Sequence, residues 1–226
     1  MEKEKYMPEV RSTLRSRTIE VPKAIYKASG IKILGTRIKS LLFSTDVAII
    51  KNNNASSIIA VYPFTPQLSI IQSILEVAPV PVFVGVGGGL TTGTRSIAIA
   101  LQAELMGAYG VVVNAPTKNE VIEEMYKTID IPIISTIASI NDDYKGKLKA
   151  GVSVLNISGG ANTAKIVKQI RDEYGKELPI IATGGPTEDT ILETIDAGAN
   201  AITYTPPTSG DIFAGIMEKY RKDLPY

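Results

Sequence analysis

Lysine 51 closes a short apolar run, VAIIKN (47–52), and a lone ammonium at such a place has more than one use. Read as a strand, the run puts Val47, Ile49 and Lys51 on one face, so an inward Lys51 would sit among apolar neighbours. There its pKa would fall, and it could act as a base or as an imine-forming nucleophile. Alternatively it keeps its charge and grips an anion, or it only reaches out to solvent. Other apolar runs end in amides or a phenol. Asn114 follows GVVV, Asn156 lies in VSVLNIS and Tyr204 in NAITYTP, and these three are candidate substrate-binding residues. Two further runs end in glycine-bearing loops: Gly184-Gly185 before Pro186-Thr187, and Thr208-Ser209-Gly210 after two prolines. Glycine lets a backbone approach a ligand with no Cβ in the way. A helix that starts there aims free N–H groups and its dipole at an anion. Gly184, Gly185, Thr208, Ser209 and Gly210 therefore form the candidate phosphate-binding set.

Other chemistries are excluded by what the chain lacks. It has no histidine and no cysteine, so His-dependent triads, thiolate nucleophiles, disulfides and His- or Cys-ligated metals are ruled out. No carboxylate pair ends an apolar run, which argues against a hard-metal cage and a two-carboxylate mechanism. The expected cofactor and metal sets are empty. Net charge is +1, so no global field recruits nucleic acid or an acidic membrane. Residues 1–40 nevertheless hold ten Lys/Arg against four Asp/Glu, a basic arm. The N-terminus has no signal-type apolar core, and no stretch approaches roughly 20 uninterrupted apolar residues. A cytoplasmic location is expected.

The elements that must position these residues follow from repeats. Eight β-branched runs, at 47–52, 57–64, 80–87, 110–116, 131–139, 152–158, 178–185 and 200–206, read as strands. Helical patterns separate them at 66–77, 94–106, 118–129, 142–149, 162–174, 188–196 and 211–222. Such alternation predicts parallel βαβ units with strands buried on both faces. Strands three, five and seven share a Pro-apolar entry (Pro81, Pro132, Pro179), and strands four, six and eight share a small-residue entry. Alternate strands fill alternate interior layers of a closed barrel, so the pattern predicts a single-domain (β/α)8 TIM barrel over 47–226. Residues 1–46 read as an N-terminal extension, with two helical pieces around Gly30 and Gly35. The expected ligand site is the C-terminal mouth of the barrel, where the residues above converge. GVGGGLTTGTR (85–95) follows the third strand and lacks the acidic partner of a dinucleotide fingerprint. The helix at 95–106 is apolar almost all round, which predicts burial in a homo-oligomer or else a tight fit within the chain.

The stretch IIATGGPTEDTILETIDAGANAITYTPP (180–207) resembles the phosphate-binding TIM barrels of the ribulose-phosphate-binding superfamily. That group includes sugar-phosphate epimerases, thiamin-phosphate synthases and phosphoribosylanthranilate isomerase. Ala182 through Gly185 match its strand-seven glycine pair, and the resemblance implies phosphate on Gly184, Gly185, Thr208, Ser209 and Gly210. This chain departs at strand eight, where Thr205-Pro206-Pro207 replaces Gly-Ser or Gly-Thr and removes N–H donors. The whole chain also resembles a bacterial family of short barrels sometimes labelled hydrolases, although it shows no nucleophile–base pair. The leading expectation is binding of a small phosphorylated or anionic metabolite. It could serve a metal-independent isomerase, epimerase or lyase with Lys51 as base or electrophile, or else a non-catalytic sensor or scaffold.

Overall fold

The computed structural model describes residues 18–222 together with Pro8, Val10 and Ser12, and the lysines and arginines of the first seventeen residues lie outside that set. Eight parallel strands close into a barrel. They are β3 (Ser40–Phe43), β4 (Ser57–Ala60), β5 (Val82–Gly87), β6 (Gly110–Val113), β7 (Ile133–Ile137), β8 (Val154–Ile157), β9 (Ile180–Thr183) and β10 (Ala201–Tyr204), with β10 pairing β3 to complete the circle. The helices are α1 (Val47–Lys51), α2 (Leu68–Val77), α3 (Thr94–Leu105), α4 (Asn119–Thr128), α5 (Tyr144–Lys149), α6 (Thr163–Tyr174), α7 (Glu188–Asp196) and α8 (Ser209–Arg221). Among the described residues no helix is long and apolar enough to cross a membrane.

Period-two alternation explains how both faces of the strands are buried. Leu41, Ile59, Phe83, Val112, Ile134, Val154, Ile181 and Ala201 point inward, one per strand, and form a single apolar cluster. Their neighbours, such as Leu42, Ile58, Val84, Val111, Leu155 and Ile202, face outward into a second cluster under the helices.

The beginning of the chain corrects the sequence reading. Residues 47–52 form helix α1, not the first strand. Asp46 caps it, its Oδ1 accepting from the backbone N–H of Ala48 (2.9 Å) and Ile49 (3.2 Å). Ile49 and Ile50 are buried while Val47 and Lys51 are exposed, a helical pattern rather than an alternating one. The first barrel strand is β3, inside the segment read as extension, so the barrel starts before residue 47. The two expected helical pieces are instead a 3-10 turn at Lys23–Lys27 and a hairpin, β1 (Ile31–Ile33) and β2 (Thr36–Ile38). Leu34 and Gly35 join its strands with φ of 43° and 84°, the left-handed pair of a tight hairpin turn. Ile31, Ile33 and Ile38 enter the inner cluster, so the hairpin plugs the end of the barrel where the strands begin.

Residues 19–28 continue along the outside. Ile19 pairs with Asn53 just past α1, and Val21, Ala24, Ile25 and Ala28 are buried. The 3-10 turn packs against α7, on the flank where the last helix of a regular (β/α)8 ring would lie. Helix α8 correspondingly buries no residue fully, and Phe213 and Met217 stay 66% and 42% exposed.

Candidate functional site

A second layer sits directly above the inner apolar cluster, two residues further along each strand. In strand order it reads Phe43, Val61, Gly85, Asn114, Thr136, Asn156, Thr183 and Thr203. The ring divides into two arcs. Three adjacent positions on β3, β4 and β5 are apolar or glycine. The five on β6 through β10 all carry an amide or a hydroxyl, and no position carries a charge.

Two atoms of the polar arc are buried without any hydrogen-bond partner, Asn156 Oδ1 and Thr203 Oγ1. Their residues are 7% and 8% exposed. Asn156 Nδ2 donates to Thr136 Oγ1 at 3.3 Å, and the Thr183 hydroxyl lies 3.3 Å from that of Thr163, the first residue of α6. The Asn114 backbone N–H donates to Gly87 O at 3.0 Å, whereas its side-chain amide has no partner among the described residues. Asn114 lines a cavity of about 160 Å³ shared with Val61, Tyr62, Phe64, Gly85 and Leu90. A second opening of about 510 Å³ runs outward from Thr183 between α6 and α7, past Gly160, Thr163 and Gly185.

The structure therefore brings Asn114 and Asn156 into one mouth, but not the other residues singled out in the sequence. Lys51 lies in the last turn of α1, exposed, at the end of the barrel opposite the mouth; Asn52, next to it, accepts from Ile19. A helix that follows β3 must descend before β4 starts, so its C-terminus cannot reach the strand ends. Tyr204 faces the outer cluster, because the inward position on β10 belongs to Thr203. Gly184 is buried by packing: a Cβ there would lie 2.7 Å from Ile191 Cγ1 and from Ile202 Cγ2. Gly185 holds φ at 76°, so a turn requires it.

The start of α8 is already occupied by carboxylates. Thr208 N–H and its hydroxyl donate to Asp211 Oδ2 (2.9 and 2.7 Å), and Asp211 N–H returns a bond to Thr208 Oγ1. These bonds hold the Asp211 carboxyl below its ordinary pKa. Asp46 is likewise held low, first by the Ser209 hydroxyl and also by backbone N–H groups of Ile49, Ala48 and Ser209, against the opposing effect of burial. Two negative charges beside Thr208, Ser209 and Gly210 repel a third, which argues against phosphate there. Of the helices that follow the polar-arc strands, α4 has Glu120 in its first turn, Asp143 caps α5, and Glu188 and Asp189 open α7. Only α6, entered through Gly159 and Gly160, has neither a side-chain cap nor an acid in its first turn.

Thr136 and Thr203 were not singled out in the sequence. Their signal was there: a polar residue two positions beyond an inward apolar one, on adjacent strands.

No protein-family model matches this chain, and no curated protein does. Solved structures match in fold. A phosphonopyruvate hydrolase complexed with oxalate and Mg2+ superposes with a TM-score of 0.62 at 11% identity, covering 82% of each chain. A phosphoenolpyruvate phosphomutase from Streptomyces platensis subsp. rosaceus gives 0.60 at 12% identity, over 88% of this chain and 83% of that one. A dihydrodipicolinate synthase from Bacillus anthracis gives 0.56 at 11%, over 81% and 76%. Proteins named for such different reactions share the barrel, and the barrel is what these matches establish. They are not the ribulose-phosphate-binding barrels that residues 180–207 resemble. Among the described residues no cluster of three acids could hold a metal, and the ring offers only amides and hydroxyls, where Mg2+ prefers carboxylate oxygen.

Proposed function

We propose that the chain binds a small phosphorylated hydroxy-compound, or a related anion, in the C-terminal mouth of the barrel. The observation that carries this reading is the pair of buried, unpartnered atoms Asn156 Oδ1 and Thr203 Oγ1. A buried polar atom left unmet costs about 1–3 kcal/mol. A ligand hydroxyl donating to Asn156 Oδ1 removes that cost, and the free Asn114 amide and Thr203 hydroxyl can donate to ligand oxygens. The anionic end points toward the start of α6, the uncapped helix next to Thr183. Two neighbours named for phosphonopyruvate and phosphoenolpyruvate support a phosphorus-bearing ligand.

The ring holds no titratable side chain, which favours a sensor or scaffold over a proton-transferring enzyme. The second reading, a metal-independent isomerase, epimerase, lyase or hydrolase, is favoured by neighbours that are themselves named as enzymes. It requires an acid–base group from the rim loops. Self-association is part of the proposal, through α8 rather than α3. Helix α3 lays Ile97, Ile99 and Leu101 on its own core, whereas α8 leaves Phe213 and Met217 uncovered.

The test is a thermal-stabilisation screen of sugar phosphates and hydroxy acids against wild-type protein and Asn156→Ala. A ligand that stabilises the former and not the latter supports the site. If no ligand stabilises the protein, or if all stabilise both equally, the reading fails. NMR of each binding compound then separates turnover from binding, and light scattering of Phe213→Glu/Met217→Glu against wild type tests self-association.

A further inference from the structure

We infer that the ligand is amphipathic, its polar end on the β6–β10 arc and a ring-sized apolar group in the cavity beside β4 and β5. The inference deepens the proposed function and rests on it. The ring is one-sided. Polar positions run without a break from Asn114 to Thr203, and the remaining arc is Phe43, Val61 and Gly85. A polyol with hydroxyls all round would leave some of them unpartnered against that arc, at the cost of desolvation. Gly85 and Val61 sit side by side; a Cβ on Gly85 would be 3.2 Å from a Val61 methyl, so the missing side chain opens the floor at this point.

Above that floor the cavity of about 160 Å³ has an apolar wall of Val61, Phe64 and Leu90 and a polar one of Asn114, Thr65 and Thr91, the two threonine hydroxyls being bonded to each other at 3.2 Å. A cavity of about 150 Å³ holds one benzene molecule. Phe64 is 75% exposed and Leu90 fully exposed, so the rim presents apolar surface that nothing among the described residues covers. Among the described residues no Asp, Glu, Lys or Arg lines the cavity, so they offer no counter-charge to an ionised group there. The chemical class that fits is a phosphate or carboxylate carried on a small aryl or branched alkyl group.

The experiment uses two probes with the same head, methyl phosphate and phenyl phosphate, titrated into wild type, Phe64→Ala, Val61→Thr and Asn156→Ala. Phe64 is exposed and Val61→Thr is close to isosteric, so the variants should fold; circular dichroism checks this. Wild type is expected to prefer phenyl phosphate by about tenfold or more. Phe64→Ala and Val61→Thr should cut that preference at least threefold with methyl phosphate unchanged, and Asn156→Ala should weaken both probes. Equal affinity for the two probes, both lost in Asn156→Ala, overturns this inference and leaves the polar site standing. A phenyl preference that survives in Phe64→Ala and Val61→Thr places the ring elsewhere and also overturns it. Binding of neither probe refutes it together with the reading beneath it.

Discussion

Replacing Gly184 by alanine separates two explanations of the IIATGG stretch. If the glycine exists so that a ligand can approach the backbone, the alanine variant should fold normally and fail to bind. The structure says otherwise. The added Cβ would stand 2.7 Å from Ile191 Cγ1 on α7 and 2.7 Å from Ile202 Cγ2 on β10. Both side chains are β-branched and buried, at 3% and 0% exposure, so neither can turn aside freely. Overpacking of this kind costs about 1–3 kcal/mol. With contacts on both sides of the new methyl, the upper half of that range is expected. For a chain of this length each kcal/mol lowers Tm by about 2–4 °C, so calorimetry should show a drop of about 4–12 °C. A Gly184→Ala protein with wild-type Tm would refute the packing argument, above all if its ligand affinity fell.

Three further outcomes follow from the geometry. Lys51→Ala should leave ligand stabilisation unchanged, since the side chain is exposed at the far end of the barrel; a loss of binding would reopen its role. Asp46→Ala removes the cap of α1 and the bonds to Ser209, and should cost about 1 kcal/mol in urea unfolding. Because Asp46 is held below its ordinary pKa, its contribution is present above the usual carboxylate range and lost as pH falls through the lower folded value. The difference between Asp46→Ala and wild type should therefore shrink in acid. Burial pulls Lys147 below the usual lysine value while its Nζ donates to Thr117 O at 2.7 Å. The folded state then binds fewer protons than the unfolded one between those two values, so stability rises with pH across that window. Urea melts between neutral and alkaline pH should show this rise in wild type and its absence in Lys147→Met.

The barrel was legible in the sequence because seven of its strands lie in β-branched runs with buried faces on both sides, and a helical pattern follows each of them. The first module was not. SLLF holds no β-branched residue, and VAII is as acceptable in a helix as in a strand until Asp46 is recognised as its cap. The consequence reaches the site, because Lys51 ends a helix and not a strand. Tyr204 misses the inward face by one position: a step of one along a strand moves a side chain from the interior to the helix layer. Asn114 and Asn156 fall on the inward face because each lies an even number of residues beyond an inward valine. The glycine pair was conspicuous, yet composition alone cannot tell a ligand-facing glycine from one crowded by Ile191 and Ile202.

The seam between β3 and β10 has a consequence for how the protein assembles. Ser40 through Leu42 pair with Ile202 through Tyr204, so the circle is sealed by residues from opposite ends of the chain, while every other strand pair joins consecutive modules. Sequence-distant pairing bears the largest loop-closure entropy and is slow. The central modules, β5 through β7, should fold first as an open crescent, and the seam should zip last. Pulse-labelled hydrogen exchange would then find the Val111 amide protected before that of Ile202; simultaneous protection would mean the ring forms in one step.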